Sequence, residues 1–231
     1  MASPRWKIAI EKALSQYKQQ NVMQVATLDT SSSLGTISRV RSQIFRDWLE
    51  SPQNASLPLL LTSTDIRAPK VSQLTASSKA EVVWWIEGTA QQFRIIADIY
   101  TVPHPEHALH SHFLDVLAKS ESGTGLALFI NEDWEARRVA LFKTMGAHMK
   151  ASWCRPVPGS PLKGDPAAGK EKYEEAKRNW ETALGNFALM IIDPIEVDFV
   201  DLSTSPDKRT LFTKKVSADD GVQWEETDLV P

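Results

Sequence analysis

A single cysteine, Cys154, in 231 residues leaves the fold without an internal disulfide and points to a reducing compartment. The first residues lack the apolar run of a signal peptide, so the expected location is cytoplasmic. Apolar runs stay short throughout. Phe187 to Ile192 is among the longest, far below the ~20 residues that span a bilayer, and no membrane partner is expected. Excess positive charge is lacking as well. The 26 Lys and Arg stand against 29 Asp and Glu, a net charge of −3, which removes the electrostatic case for nucleic acid as a partner. Thr30 to Ser33 is rich in serine but has no G-x-S-x-G setting, so it reads as a turn. Internal repeats and composition shifts are absent, so residues 1–231 are expected to form one domain.

What is present is a globular composition: 42% hydrophobic and 24% charged residues, in a chain long enough for a sizeable core. Eight tryptophans offer flat packing surfaces for a core, an interface or a planar ligand. Ser3-Pro4 has the pattern of a helix cap followed by proline, and Trp6, Ile10, Ala13, Leu14 and Tyr17 recur at helical spacing over 4–19. Residues 22–28 and 36–46 read as a hairpin around a serine-rich turn, 59–64 as a short buried strand and 69–76 as a helix. A second hairpin is expected over 81–100. In its return arm Gln92, Arg94, Ile96 and Asp98 share one face, and Phe93, Ile95, Ala97 and Ile99 the other. Helices are expected over 105–120, 132–152 and 170–184, with a proline- and glycine-rich loop over 154–169. Strands follow at 187–192, 196–202, 209–214 and 222–227. Strands at both ends with helices between them give an α+β, mainly β domain built on an antiparallel barrel.

Four segments carry chemistry. Arg41-Ser42-Gln43-Ile44-Phe45-Arg46 places two guanidinium groups on a strand, and that planar fork suits phosphate oxygens. Side chains five apart on a strand face opposite ways, so Arg41 and Arg46 can serve one ligand only if the strand twists, bulges or ends between them. Leu61-Thr62 to Lys70, containing Arg67, runs from a strand end into a helix start, where free amides and the dipole favour an anion. Gln91-Gln92-Phe93-Arg94 offers an amide for a heterocycle edge. Asp207-Lys208-Arg209 enters a late strand, followed by Trp224 to Pro231.

In this order the segments resemble the pyridoxamine 5′-phosphate oxidase-like FMN-binding split barrels. Arg41 and Arg46 match the basic ends of that family's R-x-V-L-L-K. Leu61, Thr62 and Lys70 fall in register with its Y/F-T-x-x-x-S-R-K. Gln92 matches its strand glutamine, and Arg209, Trp224, Leu229 and Pro231 match its basic strand entry and W-x-x-x-x-L-x-P tail. A closer resemblance is to a subfamily of unassigned substrate with T-D-x-R-x-x-K-V, W-x-x-x-x-x-x-Q-F-R-I, P-x-P-G-x-P and N-F-A-L. Its counterparts here are Thr64 to Val71, Trp85 to Ile95, Pro156 to Pro161 and Asn186 to Leu189.

The resemblance implies a six-stranded antiparallel split β-barrel with peripheral helices, a homodimer with FMN at its interface, and flavin-dependent oxidoreductase chemistry. Arg41, Lys70 and the Thr62 region would hold the phosphate. Gln92 and Arg46 would lie near the ring, Arg209 would come from the far end of the chain, and Ser42, Gln43, Ile44, Leu61 and Arg67 would complete the contacts. The chain departs from the family at Ala68-Pro69-Lys70, where S-R-K is expected. It also lacks the R-x-H and Y-x-x-x-R-P residues that grip vitamin B6 substrates. A flavin-binding module without turnover, and a degenerate barrel acting through protein contacts, therefore stay open.

Other features have plainer readings. His104, His107, His110 and His112 with Glu106 and Asp115 have the composition of a metal site, but a solvated linker and helix start are the expected reading. Adjacent Trp84 and Trp85 must face opposite sides of a strand. Cys154 beside Arg155 has a setting that can lower a thiol pKa, but with no histidine adjacent an ordinary buried or surface thiol is the expected reading.

Overall fold

The computed structural model describes residues 2–121, 123–161, 180–217 and 221–231. Helix α1 (Arg5–Gln16) turns Trp6, Ile10 and Ala13 inward, the one-sided spacing of an amphipathic helix. Its cap is Pro4, whose carbonyl accepts from the Lys7 and Ile8 amides at 3.1 and 3.2 Å. Ser3 does not cap the helix, contrary to expectation, because the helix starts one residue later.

Among the described residues nine strands form one antiparallel sheet: β1 (Val22–Asp29), β2 (Ile37–Ile44), β3 (Asp47–Ser51), β4 (Asn54–Asp65), β5 (Lys79–Ile86), β6 (Gln91–Val102), β7 (Phe187–Asp201), β8 (Lys208–Ser217) and β9 (Gly221–Leu229). Helix α2 (Pro69–Ala76) leaves the end of β4. α3 (His110–Ala118), α4 (Trp134–Thr144), α5 (Ala147–Ser152) and α6 (Trp180–Asn186) lie between β6 and β7. The strand order is β2-β1-β5-β6-β7-β4-β3, with β8 on β7 and β9 on β8. The fold class is as expected, mainly β with peripheral helices. Where a six-stranded barrel was expected, the described residues form a sheet of nine strands, in an order that ends at β2 and β3.

β3 was hidden in sequence because Asp47 to Glu50 looks like a solvated face. Only Leu49 and Ser51 of that strand are buried. Between β2 and β3 the chain changes partner. The Phe45 amide donates to the Asn21 carbonyl and the Arg46 amide to the Leu61 carbonyl, both at 2.8 Å. β7 is one 15-residue strand through Pro194, where a register shift opposite Ile96 and Ala97 spares the missing N–H. The expected helix 132–152 is two helices, broken at Met145-Gly146 by an extended backbone. The helix expected over 105–120 is shortened to α3. The expected loop and helix over 162–179 lie outside the described residues.

The sheet separates two cores. Inside, Trp6, Val25, Val82, Trp84, Phe93, Ile95 and Phe212 pack with their neighbours. Outside, Leu61, Phe113, Trp134, Phe142, Phe187 and Ile191 pack beneath α3 to α6. The tryptophans serve mostly these cores: Trp6 lies 5.4 Å from Trp224 and 6.0 Å from Trp48. Trp84 is fully buried and donates to the Gln20 carbonyl at 2.8 Å, while Trp85 is 40% exposed.

Candidate functional site

Arg41 sits opposite Val25 on the inner side of β2. Its guanidinium donates to Thr27 Oγ1 at 2.5 Å and to Gln73 Oε1 of α2 at 2.9 Å. Lys70, at the start of α2, donates from Nζ to Thr64 Oγ1 at 2.8 Å. Burial lowers the pKa of both cations. Arg41 depresses Lys70 further, and Arg39 does the same to Arg41. Asp65 opposes the shift on Lys70, but that carboxylate is already held by Arg67. Two part-buried cations thus stand close together on neutral partners, at the end of a helix where the dipole is also positive.

The break between β2 and β3 supplies the strand ending that Arg41 and Arg46 need to approach one ligand. Arg46 is half-buried, its pKa is lowered by burial, and its Nε is buried without a hydrogen-bond partner. Thr62 is buried and donates to the Ile44 carbonyl at 2.7 Å, tying β4 to the end of β2. Gln43 and Leu61 are buried beside them.

Arg67 is engaged elsewhere. Its backbone N and Nε both reach Asp65 Oδ1 at 2.9 Å, and Nη2 reaches Oδ2 at 2.7 Å. Nη2 also donates to the Trp153 and Arg155 carbonyls at 3.0 Å. Asp65 raises the Arg67 pKa. Asn186 Nδ2 donates to the same Trp153 carbonyl at 2.8 Å, and its own carbonyl accepts from the Ile66 amide. Gly159 lies against Pro69, where an added Cβ would stand 3.7 Å from the ring. Three of the sequence patterns, around Asp65, Pro156 and Asn186, therefore meet in one knot behind the start of α2.

Ser42, Ile44, Gln92 and Arg209 lie on the other side of the sheet. Ser42 pairs with Gln24, and Trp85, Gln92, Val200, Arg209 and Leu229 follow one another across five strands. Arg209 is a fork on Asp198, at 3.0 and 2.9 Å, and Arg94 shares that carboxylate at 2.6 Å. Asp198 raises the Arg209 pKa. One chain thus sets Arg41 beside Lys70, places Arg46 and Thr62 at the break, and holds Gln92 and Arg209 on the outer face.

The histidines do not form a metal site: among the described residues no three His, Cys, Asp or Glu are placed to hold an ion. His104 Nδ1 and His107 Nδ1 instead accept from the Glu106 and Leu109 amides, and His107 lies before the helix rather than on its face. Burial raises the Cys154 pKa more than Arg67 lowers it, so the thiol is not an activated one. No helix among the described residues is long and apolar enough to cross a membrane.

Residues 3–102 match the family model of the pyridoxamine 5′-phosphate oxidase FMN-binding domain. The matched residues include β1 to β6 and α2, and so contain the Arg41–Lys70 cluster. A pyridoxamine 5′-phosphate oxidase-related FMN-binding protein from Nostoc punctiforme shares the fold, with a TM-score of 0.73, 22% identity and full coverage of both chains. PhzG from Burkholderia lata, solved with tetrahydrophenazine-1-carboxylic acid, has a TM-score of 0.62 and 16% identity over 100% of this chain and 94% of that one. No curated protein matches the sequence.

Proposed function

We propose that the protein binds FMN between two copies of the chain and acts as a flavin-dependent oxidoreductase. The observation that carries this reading is the Arg41–Lys70 pair. Two part-buried like charges raise each other's free energy, and a dianionic phosphate relieves both through charge-assisted hydrogen bonds. The buried, unpartnered Nε of Arg46 fits the same reading, since such a donor is costly without an acceptor. The match of residues 3–102 to the FMN-binding domain model supports the choice of FMN among phosphate-bearing ligands.

Arg41 and Lys70 would hold the phosphate, with the Thr62 region shaping the floor. Arg46 would point its free donor toward the ring. Gln92 and Arg209, on the outer face, would contribute from the second copy. β2 and β3 are consecutive in the chain and stand at the two ends of the strand order, so a split barrel would close through the break at Phe45 and Arg46. When bound, the flavin supplies hydride or electron transfer, and the side chains bind and orient it. A module without turnover is the second reading, favoured by the carboxylate partners that occupy Arg67 and Arg209.

The test is an absorption spectrum of the native protein before and after FMN addition and dialysis, followed by anaerobic NADPH and then oxygen. Retained flavin that is reduced and reoxidised is the expected result. Retained flavin that NADPH and small reductants leave oxidised would favour the module. A colourless protein that takes up no FMN would overturn the reading.

A further inference from the structure

A cavity of about 620 Å³ opens between the last turn of α2, the start of β5, β6 and α3. Its size falls within the roughly 300–1,000 Å³ of small-molecule sites. Leu74, Ile99, Phe113 and Val116 form apolar walls. Asp98 on the floor is satisfied, accepting from Ser78 Oγ at 2.6 Å and Lys79 Nζ at 2.8 Å. Tyr100 is different. It lines the cavity, and its hydroxyl has no hydrogen-bond partner among the described residues. Burial, with the fields of Asp98 and Asp193, holds its pKa well above the ordinary phenol value, so the hydroxyl stays a donor. The charges around the cavity cancel: Lys79 and Lys119 stand against Asp98 and Glu121. A net-charged ligand gains no overall attraction there, whereas a neutral ring gains the apolar walls and the free donor.

None of Arg41, Arg46, Thr62 or Lys70 lines this cavity. α2 stands between the two places. Its first turn carries Lys70 toward Thr64, and its Gln73 meets Arg41. Its last residues, Leu74 to Ala76, face the cavity.

We infer that the cavity is a second binding site, for an uncharged aromatic molecule bearing a carbonyl or ring-nitrogen acceptor. The acceptor sits on the Tyr100 hydroxyl and the ring lies against Phe113 and Val116.

The test uses coumarin, an uncharged bicycle with a carbonyl acceptor, and naphthalene, a similar outline without one. Each is titrated by NMR into the full-length protein, with and without saturating FMN. Coumarin is expected to bind equally in both states. Tyr100→Phe should weaken coumarin roughly five-fold, the worth of one neutral hydrogen bond, and leave naphthalene unchanged. Val116→Trp, with its folding checked by circular dichroism, should block both probes. The inference is overturned if coumarin does not bind, if FMN displaces it, or if Tyr100→Phe leaves its affinity intact.

Discussion

Lys70 and Arg41 share a feature that sets how an anion is held: each keeps its charge while half out of water, and neither has a carboxylate of its own. Arg41→Ala should cost about 1.5–3 kcal/mol of FMN affinity, the range for a hydrogen bond to a charged group. Fluorescence titration measures it, and unchanged affinity would remove Arg41 from the site. pH adds a second handle. Burial and then Arg41 lower the Lys70 pKa in the free protein, while a bound phosphate would raise it. Binding then takes up a proton once Lys70 begins to lose its own. Affinity is full at pH values below the free-state pKa and declines as pH rises through it, earlier in the alkaline range than for an ordinary lysine. Lys70→Met should bind more weakly and lose that part of the pH profile, and an unaltered profile would show that Lys70 does not face the phosphate. At this scale the sequence showed where charge sits, on a strand at Arg41, at a strand break at Arg46 and at a helix start at Lys70. It was silent on which cations are already spoken for. Arg67 looked like a spare phosphate ligand until its fork proved to close on Asp65 two residues back. Arg138, fully buried and bonded to the Leu184 and Phe187 carbonyls, has no sequence signal that distinguishes it from a solvated arginine on a charged helix.

Elements were legible in proportion to how much of their stabilisation is local. α1, α2 and the hairpin of β5 and β6 carry their own periodicity; α2 and the hairpin stand within two residues of expectation, and α1 ends three residues early. β3 and the middle of β7 do not. Asp47 to Ser51 becomes a strand because β4 offers it a partner, and β7 survives Pro194 because the register shifts there. Helix 132–152 broke where Gly146 removes helix propensity. The loop after α5 shows how distant motifs become one element. Arg67 grips the Trp153 and Arg155 carbonyls, Asn186 grips Trp153 from another direction, and Gly159 rests on Pro69. Arg67→Met leaves Asp65 and two carbonyls without that donor. Expected consequences are a stability loss of about 1–3 kcal/mol in urea unfolding and faster amide exchange over residues 153–160. FMN affinity should fall less than in Arg41→Ala, because Arg67 acts by holding the start of α2. An equal or larger loss, with exchange unaltered, would mean instead that Arg67 touches the ligand.

The molecule as a whole leaves part of the outer sheet face, away from α3 to α6, uncovered. Val22, Val40, Trp85 and Ile96 share it by register, at 39, 65, 40 and 43% exposure. Monomeric proteins seldom present so many apolar side chains on one flat surface, and a second copy is the simplest cover. Gln92 and Arg209 lie on that same face, while Arg41 points to the other. A single chain therefore holds the proposed flavin residues in two groups on opposite sides of its sheet. Two chains related by a two-fold axis could bring the first group of one against the second group of the other, at two equivalent places. This arrangement links assembly to cofactor. Sedimentation should give a dimer for the native protein, and the double substitution Trp85→Asp with Ile96→Asp should give a folded monomer. That monomer keeps Arg41 and Lys70 intact, yet it should lose most FMN affinity because Gln92 and Arg209 no longer arrive from the second copy. A monomer that bound FMN as tightly as the dimer would place the whole site within one chain, and the outer face would then need a different occupant.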